Sequence, residues 1–492
     1  MNNNTVSTKF ISILTFSLIG LFFFQKLISS LVVGGRWDLN EHIAFADRIA
    51  EGVIKYSNGV TDLFIPSSPY FPGVGYLSYI YQQLGIEDTF LNNQLLLVTA
   101  VLVGLIYFIL LNKLTIKLYP NISTVMIYFI STMFLLTHFR AYIGYMVEFK
   151  PDTILLLIGM LILFLIEKNK KISVLDIFLI SFLLFVSVYF KQSFFLIFFL
   201  TFILITLNKF LSIKEKIYIQ VLFSIIGIIA LYMVLNIENL YIFTIETMGK
   251  HPLIIKDFIV FCAMTVLDNS IFVFFLCIYL FSRYKNLKII SLETKYLLFS
   301  LFWLAFSFLS AAKLGGNTGN TEVGIFVLLP FAIFAVDKTV KEFYNIFLFR
   351  LSLIFVLFVG IVGFMFLSFK QINKYKEKLN HFSQSYTYLN ENFKNKKALI
   401  DGNTYVLAKK SGLKILTESE TIGNFNNIPN YDMSNIKNAF HNQIYDIIFI
   451  ENYFTYFVDK EIHEIFKNKY QILIDDSMPS YLNNKLYIKK EN

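Results

Sequence analysis

The sequence predicts an α-helical polytopic membrane protein with about eleven transmembrane helices and a small extracytoplasmic α/β domain at its C-terminal end. Three observations predict it. Of 492 residues, 56% are hydrophobic and only 16% are charged, against about 25% charged in ordinary soluble domains. Phe alone occurs 56 times, and the mean hydropathy is +0.61. Long apolar runs recur as far as residue 369 and then stop. A soluble core cannot absorb this much apolar surface, so a single soluble globule is excluded, and disorder is excluded for the same reason. The net charge of +9 has a simple origin in loops that stay cytoplasmic. No basic, aromatic-interleaved soluble module accompanies it, so no nucleic-acid partner is expected.

Runs of about 18 or more apolar residues read as membrane helices. They fall at 10–33, 93–112, 122–139, 151–167, 174–190, 192–208, 217–236, 257–281, 296–311, 323–337 and 351–369. Only Lys191 and Gln192 separate the fifth from the sixth. The first is too long for a removable signal peptide and lacks a small-residue cleavage site. Cys262 and Cys277 both fall in the 257–281 run, so neither a disulfide framework nor a thiolate metal site is readable. With the N-terminus inside, sixteen Lys and Arg lie in the inner segments. The short outer loops carry six, namely Arg140, Lys150, Lys191, Lys250, Lys256 and Lys313. That asymmetry predicts a cytoplasmic N-terminus in a bacterial plasma membrane and, after eleven crossings, a C-terminal domain outside. No internal repeat is evident, which disfavours transporters built from inverted halves.

Two regions are not membrane. The outer loop 34–92 contains an amphipathic stretch at 38–53, with Leu39, Ile43, Ala46, Ile49, Ala50 and Val53 at helical spacing, and a second at 72–84 that starts at Pro72. Both are expected to lie in the membrane interface. The sequence therefore divides into a transmembrane domain, 1–369, and an outer domain, 370–492. The outer domain opens with a charged helix at 370–395. Strand-like runs follow at 398–400, 414–417, 446–451, 471–475 and 485–489. It has no Gly-rich phosphate loop.

Polar groups beside a membrane are costly and point to function. Four clusters stand out, all on the predicted outer face. In Arg36-Trp37-Asp38-Leu39-Asn40-Glu41-His42, the residues Asp38, Glu41 and His42 share a helix face. Carboxylates there suit proton abstraction from a hydroxyl or the binding of a divalent cation; the plain alternative is an N-cap at Asp38. The stiff loop Pro66–Tyr76, with Tyr70 in it, suits a sugar or headgroup wall, or a structural turn. The third cluster runs from Arg140 to Asp152 and includes Glu148; Asp152 sits near a helix start, where a cap is the plain alternative. The fourth comprises Lys191 with Gln192, and Lys313 ahead of the Gly/Asn-rich run that contains Asn317. These cations suit a lipid phosphate, or snorkel to the headgroups.

Several of these segments carry a resemblance. Asp38-x-x-Glu41-His42, Ala46-Asp47-Arg48-Ile49-Ala50-Glu51-Gly52 and Pro69-Tyr70-Phe71-Pro72-Gly73-x-Gly75-Tyr76 resemble the first outer loop of GT-C-type membrane glycosyltransferases. The chain is most similar to bacterial members related to the protein O-mannosyltransferase and aminoarabinose-transferase group. Lys150-Pro151-Asp152 is similar to their (Arg/Lys)-x-Asp pattern, and Tyr189-Phe190-Lys191-Gln192-Ser193 to their Thr-Lys-Gln-Thr element. Gly315-Gly316-Asn317, ahead of Leu328-Leu329-Pro330, is similar to a late loop element.

The resemblance implies inverting transfer of a sugar from a polyprenyl-phosphate-linked donor to an acceptor in the cell envelope (lipid, polysaccharide or protein) on the outer face. Asp38 best matches the family's first-loop acidic residue. The usual adjacent Asp-Glu pair is missing, however, and Glu41 stands three residues on, so the base lies open between Asp38 and Glu41. Lys191, Lys313 and Arg140 are candidates to stabilise the departing phosphate, while His42, Tyr70, Glu148, Asp152, Gln192 and Asn317 are expected to line the substrate site; the role of His42 there stays open between metal ligand, acceptor hydrogen bonding and packing. A divalent cation, Mg or Mn, is compatible with the acidic cluster without being demanded by it; no other cofactor is implied. The competing readings are a polysaccharide polymerase or ligase, a lipid-linked-oligosaccharide flippase, and a scaffold. A flippase would place its charges mid-helix, a polymerase would rely on arginines in a late outer loop, and a scaffold would tolerate loss of Asp38.

Overall fold

A computed structural model describes residues 15–24, 37–56, 71–137, 149–168, 171–247, 249, 253–283, 291–312, 318–343, 362, 373, 376–377, 379–419, 422, 432–450 and 460–490. Helices α1 (Thr15–Phe24), α2 (Trp37–Ala50), α3 (Gly73–Gln83), α4 (Thr89–Leu118) and α5 (Thr124–Thr137) come first. They are followed by α6 (Pro151–Ile166), α7 (Val174–Val188), α8 (Phe194–Thr206) and α9 (Ile213–Leu235). A π-helical turn, Tyr241–Thr247, leads into α10 (Ile255–Asp268), α11 (Ser270–Arg283), α12 (Leu292–Ala311), α13 (Thr318–Phe326) and α14 (Leu329–Phe343).

Local chemistry sets the helix starts. Asp88 accepts from the Leu91 N–H at the head of α4. Ser173 with Asp176 and Ser212 with Glu215 form reciprocal capping boxes on α7 and α9. Pro151 occupies the first turn of α6, where its missing N–H costs nothing. The amphipathic stretches of the first loop are helical as expected, at α2 and α3. Lys191 and Gln192 do break the apolar run, between α7 and α8.

The expectation of eleven full-length spans is met in part. Among the described residues, α4, α9 and α12 are long and apolar enough to cross a membrane, and α10 with α11 makes a fourth if counted as one bent span. The segments α6, α7 and α8 are apolar but shorter. At about 1.5 Å per residue, the 16 residues of α6 cover roughly 24 Å, short of a ~30 Å hydrocarbon core. The 351–369 run lies almost wholly outside the described residues.

Two expected helices are broken. The 257–281 run bends by 87° at Asn269, whose side-chain amide donates to the Thr265 carbonyl at 2.9 Å. The 323–337 run breaks between α13 and α14, because Pro330 lacks an N–H and its ring clashes with the preceding turn. Tyr296 stabilises that break by donating its hydroxyl to the Val327 carbonyl at 2.9 Å.

Large apolar side chains remain exposed along α9 to α11, among them Ile228 at 67%, Tyr232 at 68% and Phe281 at 80%. A contiguous face of this kind is unfavourable in water and natural in lipid. The polar groups collect at two opposite ends of α4 and α6. At one end Lys295 pairs with Glu167 at 2.8 Å, and Arg283 with Glu293 at 3.1 Å. Tyr119 and Tyr279 both donate to the Glu293 carboxylate. These residues flank loops that the charge count places inside.

At the other end sits the C-terminal sheet, formed by β1 (Lys397–Ile400), β2 (Lys414–Glu418), β3 (Ile447–Phe449), β4 (Tyr470–Ile472) and β5 (Leu486–Lys489) in the order β2-β1-β3-β5-β4. All five strands fall on the expected runs. The first three are parallel, with Ala398 opposite Ile447, and β5 pairs antiparallel with both β3 and β4. Buried strands such as β3 suit the centre of a covered sheet. Helices α15 (Tyr405–Lys410), α16 (Ser434–His441) and α17 (Lys460–Lys469) connect the strands.

Candidate active site

The two first-loop helices are clamped onto the start of α4 by buried amides. Asn92 donates to the Ser78 carbonyl and accepts from the Ser78 hydroxyl, both at 3.0 Å, which fixes α3. Asn93 donates to the Asn40 side-chain oxygen at 3.1 Å, which fixes α2. Helix α3 meets α2 where an added Cβ on Gly75 would fall 2.5 Å from the Phe45 ring. These contacts bury Glu41 and His42, at 2% and 1% exposure. Asp38 lies on the same helix, three residues before Glu41; its side chain is outside the described set.

The N-terminus of α6 and the turn 189–193 bring together two predicted residues. The Lys191 ammonium lies 2.7 Å from the Asp152 carboxylate, both side chains about nine-tenths buried, and Ser193 donates to the other Asp152 oxygen at 3.3 Å. Lys191 therefore does not snorkel, and Asp152 is not the cap; that position belongs to Lys150, which makes no side-chain cap bond. Immediately before it, the fully buried Phe149 adopts φ +51°. This left-handed conformation costs of order 1–3 kcal/mol and occurs where surrounding structure enforces it. Gln192 donates to the Thr244 carbonyl at 3.1 Å, which ties the turn to the π-helical segment. Insertions of that kind recur at functional sites.

The first loop and this turn touch directly. The Gly73 N–H donates to the Tyr189 carbonyl at 2.7 Å, and an added Cβ on Gly73 would lie 2.8 Å from that oxygen. A chain of rings runs alongside, with Tyr56 to Phe45 at 5.2 Å, Phe45 to Tyr76 at 6.2 Å and Tyr76 to Tyr189 at 6.3 Å. The Tyr56 N–H donates to the Glu238 carbonyl at 2.8 Å. Burial, reinforced by Tyr76 and by the Glu41 charge, pushes the Tyr56 phenol far above its usual range. Acidic helix, aromatic wall and buried cation thus form one continuous layer.

Residues of the C-terminal region pack against this layer. Asn40 donates to the Gly402 carbonyl at 2.5 Å, and Tyr405 donates to Asp47 at 2.7 Å. Beside that contact lies a cavity of about 310 Å³, walled by Asp47, Arg48, Glu51, Lys409 and Lys414. Tyr70, Arg140, Glu148, Lys313 and Asn317 lie outside the described residues. Among the described residues no group of three or more His, Cys, Asp and Glu could hold a metal ion. Asn40 and Asp47 fall in segments that the sequence singles out, but without a role of their own, and Asn92 and Asn93 are not singled out at all. The available signal was the pair Asn92-Asn93 at the start of an apolar run.

The same fold occurs in the crystal structure of ArnT from Cupriavidus metallidurans bound to undecaprenyl phosphate. The likeness covers 96% of this chain and 97% of that one, with a TM-score of 0.55 and 9% sequence identity. No protein-family model matches the chain, and no curated protein matches it by sequence. The chain therefore has, along nearly its whole length, the fold of ArnT.

Proposed function

We propose that this chain is an integral-membrane glycosyltransferase that moves a sugar from a polyprenyl-phosphate-linked donor to an envelope acceptor on the outer face, with inversion. The observation that carries this reading is the full-length fold likeness to a protein solved with undecaprenyl phosphate. In the proposed topology the chain crosses the membrane eleven times, with its N-terminus in the cytoplasm. Residues 1–369 form the catalytic domain and 370–492 the outer domain.

In the reaction, an acceptor hydroxyl oxygen attacks the anomeric carbon as the bond from that carbon to the phosphate oxygen breaks. The hydroxyl proton passes to a carboxylate on α2, Asp38 or Glu41. The pair of electrons leaves with the polyprenyl phosphate, whose charge is stabilised by Lys191 and by Arg140 and Lys313. Asp152 holds the Lys191 ammonium in place at 2.7 Å. The rings Tyr76 and Tyr189 offer the sugar or the headgroup an apolar face between base and cation. The exposed apolar helices leave the prenyl chain in lipid.

The test is transfer from radiolabelled polyprenyl-phosphate sugars into membrane acceptors by vesicles containing wild type, Asp38→Asn or Glu41→Gln at matched expression. Loss of the base should slow transfer by about 10²–10⁴-fold in one of the two variants. Wild-type rates in both would remove α2 from the chemistry.

A further inference from the structure

Asp47 belongs to the segment 46–52 that carries part of the resemblance, yet the proposed chemistry gives it no task. It lies six residues past Glu41 on α2, with its side chain 12% exposed. Its carboxylate joins three separate parts of the chain. One oxygen accepts from Gln82 on α3 at 2.8 Å. The other accepts from Tyr405 on α15 at 2.7 Å and lies 3.6 Å from the Lys409 ammonium. Two helical turns earlier on the same stripe, Asn40 reaches the Gly402 carbonyl at 2.5 Å and accepts from Asn93 of α4. The receiving turn 402–404 is itself rigid. Asp401 caps it, and Thr404 donates to the Phe449 carbonyl of β3 at 3.1 Å. Glu41 and His42 sit between these two anchors.

Burying a carboxylate is costly unless its bonds are specific, and an apolar residue would pack this junction more cheaply. We propose that Asp47 is a positioning residue, through which the C-terminal domain holds α2 so that its acidic face meets the acceptor. The inference rests on the glycosyltransferase reading and gives the C-terminal domain a bracing role within it.

The experiment uses full-length protein in vesicles and has two readouts. One is transfer kinetics from an undecaprenyl-phosphate-linked sugar. The other is labelling of Glu41 by carbodiimide and glycine ethyl ester, read by mass spectrometry without donor. Asp47→Ala and Tyr405→Phe should each lower kcat about tenfold, leave the donor KM within about twofold, and raise Glu41 labelling several-fold. The double variant should be no worse than Asp47→Ala, because both remove one connection. Lys410→Ala, which breaks a different tail contact to Asp88 at 3.2 Å, should behave as wild type.

Tyr405→Phe deletes only a hydroxyl and keeps the test valid if Asp47→Ala folds poorly. Unchanged kcat and unchanged Glu41 labelling in both variants would overturn the proposal. So would activity lost in proportion to unfolding while Glu41 stays protected. If wild type transfers from no donor, the glycosyltransferase reading fails. Glu41 labelling then decides the positioning claim by itself, a rise upholding it and no rise ending it.

Discussion

The Asp152–Lys191 pair is the clearest single-residue commitment in the molecule. With both side chains about nine-tenths buried, neither charge has water to fall back on. Removing one partner takes a buried countercharge from the other, and Lys191→Met or Asp152→Leu alone should cost about 3 kcal/mol or more, whereas the double replacement should cost less than either. Thermal unfolding in detergent reads this directly; equal losses for single and double variants would contradict it. Asp47 makes a pH prediction. Burial raises its carboxyl above the ordinary 3.8, Glu51 adds to the rise, and Lys409, Tyr405 and Gln82 oppose it. A carboxyl raised on folding binds its proton more tightly when folded. Docking stability therefore falls as pH climbs from 3.8 through the raised value, and is flat above it. On acidification from neutrality, wild type should gain stability relative to Asp47→Asn, and parallel stability curves would refute this.

Elements are held in register by a few close approaches. Gly73→Ala would push a methyl to within 2.8 Å of the Tyr189 carbonyl and the Phe190 ring. That should destabilise by about 1–3 kcal/mol and slow transfer by shifting the Lys191 turn. Gly20→Ala meets nothing within 4 Å and should not destabilise; equal effects of the two would argue against the contact. Elements defined by local pattern were legible in the sequence. The five strands announced themselves as apolar runs between turns, and α2 and α3 as amphipathic periods after a long apolar helix. The break at Lys191 was legible because two polar residues interrupt an otherwise unbroken run. The bend at Asn269 was not, because one back-bonding amide looks like any polar residue in a helix. Asp152 and Lys191 were each visible, but their pairing spans 39 residues and only the fold brings them together. Asp47 was hidden for the same reason, its partner Tyr405 lying 358 residues away.

On the scale of the whole molecule, polar groups are sorted to two ends of an apolar body. The Lys295–Glu167 and Arg283–Glu293 pairs mark one end, and Glu41, the Asp152–Lys191 pair and the C-terminal sheet mark the other. This sorting fits a body that lies across a membrane. A phosphatase reporter that works only outside the cytoplasm should be active when fused after residue 492 and inactive in the inner loop after Lys168; the reverse pattern would invert the topology. Purified protein in vesicles is given doubly labelled polyprenyl-phosphate sugars of several kinds together with an envelope acceptor fraction. Release of polyprenyl phosphate and sugar incorporation are then followed together. For at least one donor the two should appear in equal amounts, and both should be lost in Lys191→Met. Sugar that crosses the bilayer still attached to its lipid, with no polyprenyl phosphate released from any donor, would contradict the glycosyltransferase reading.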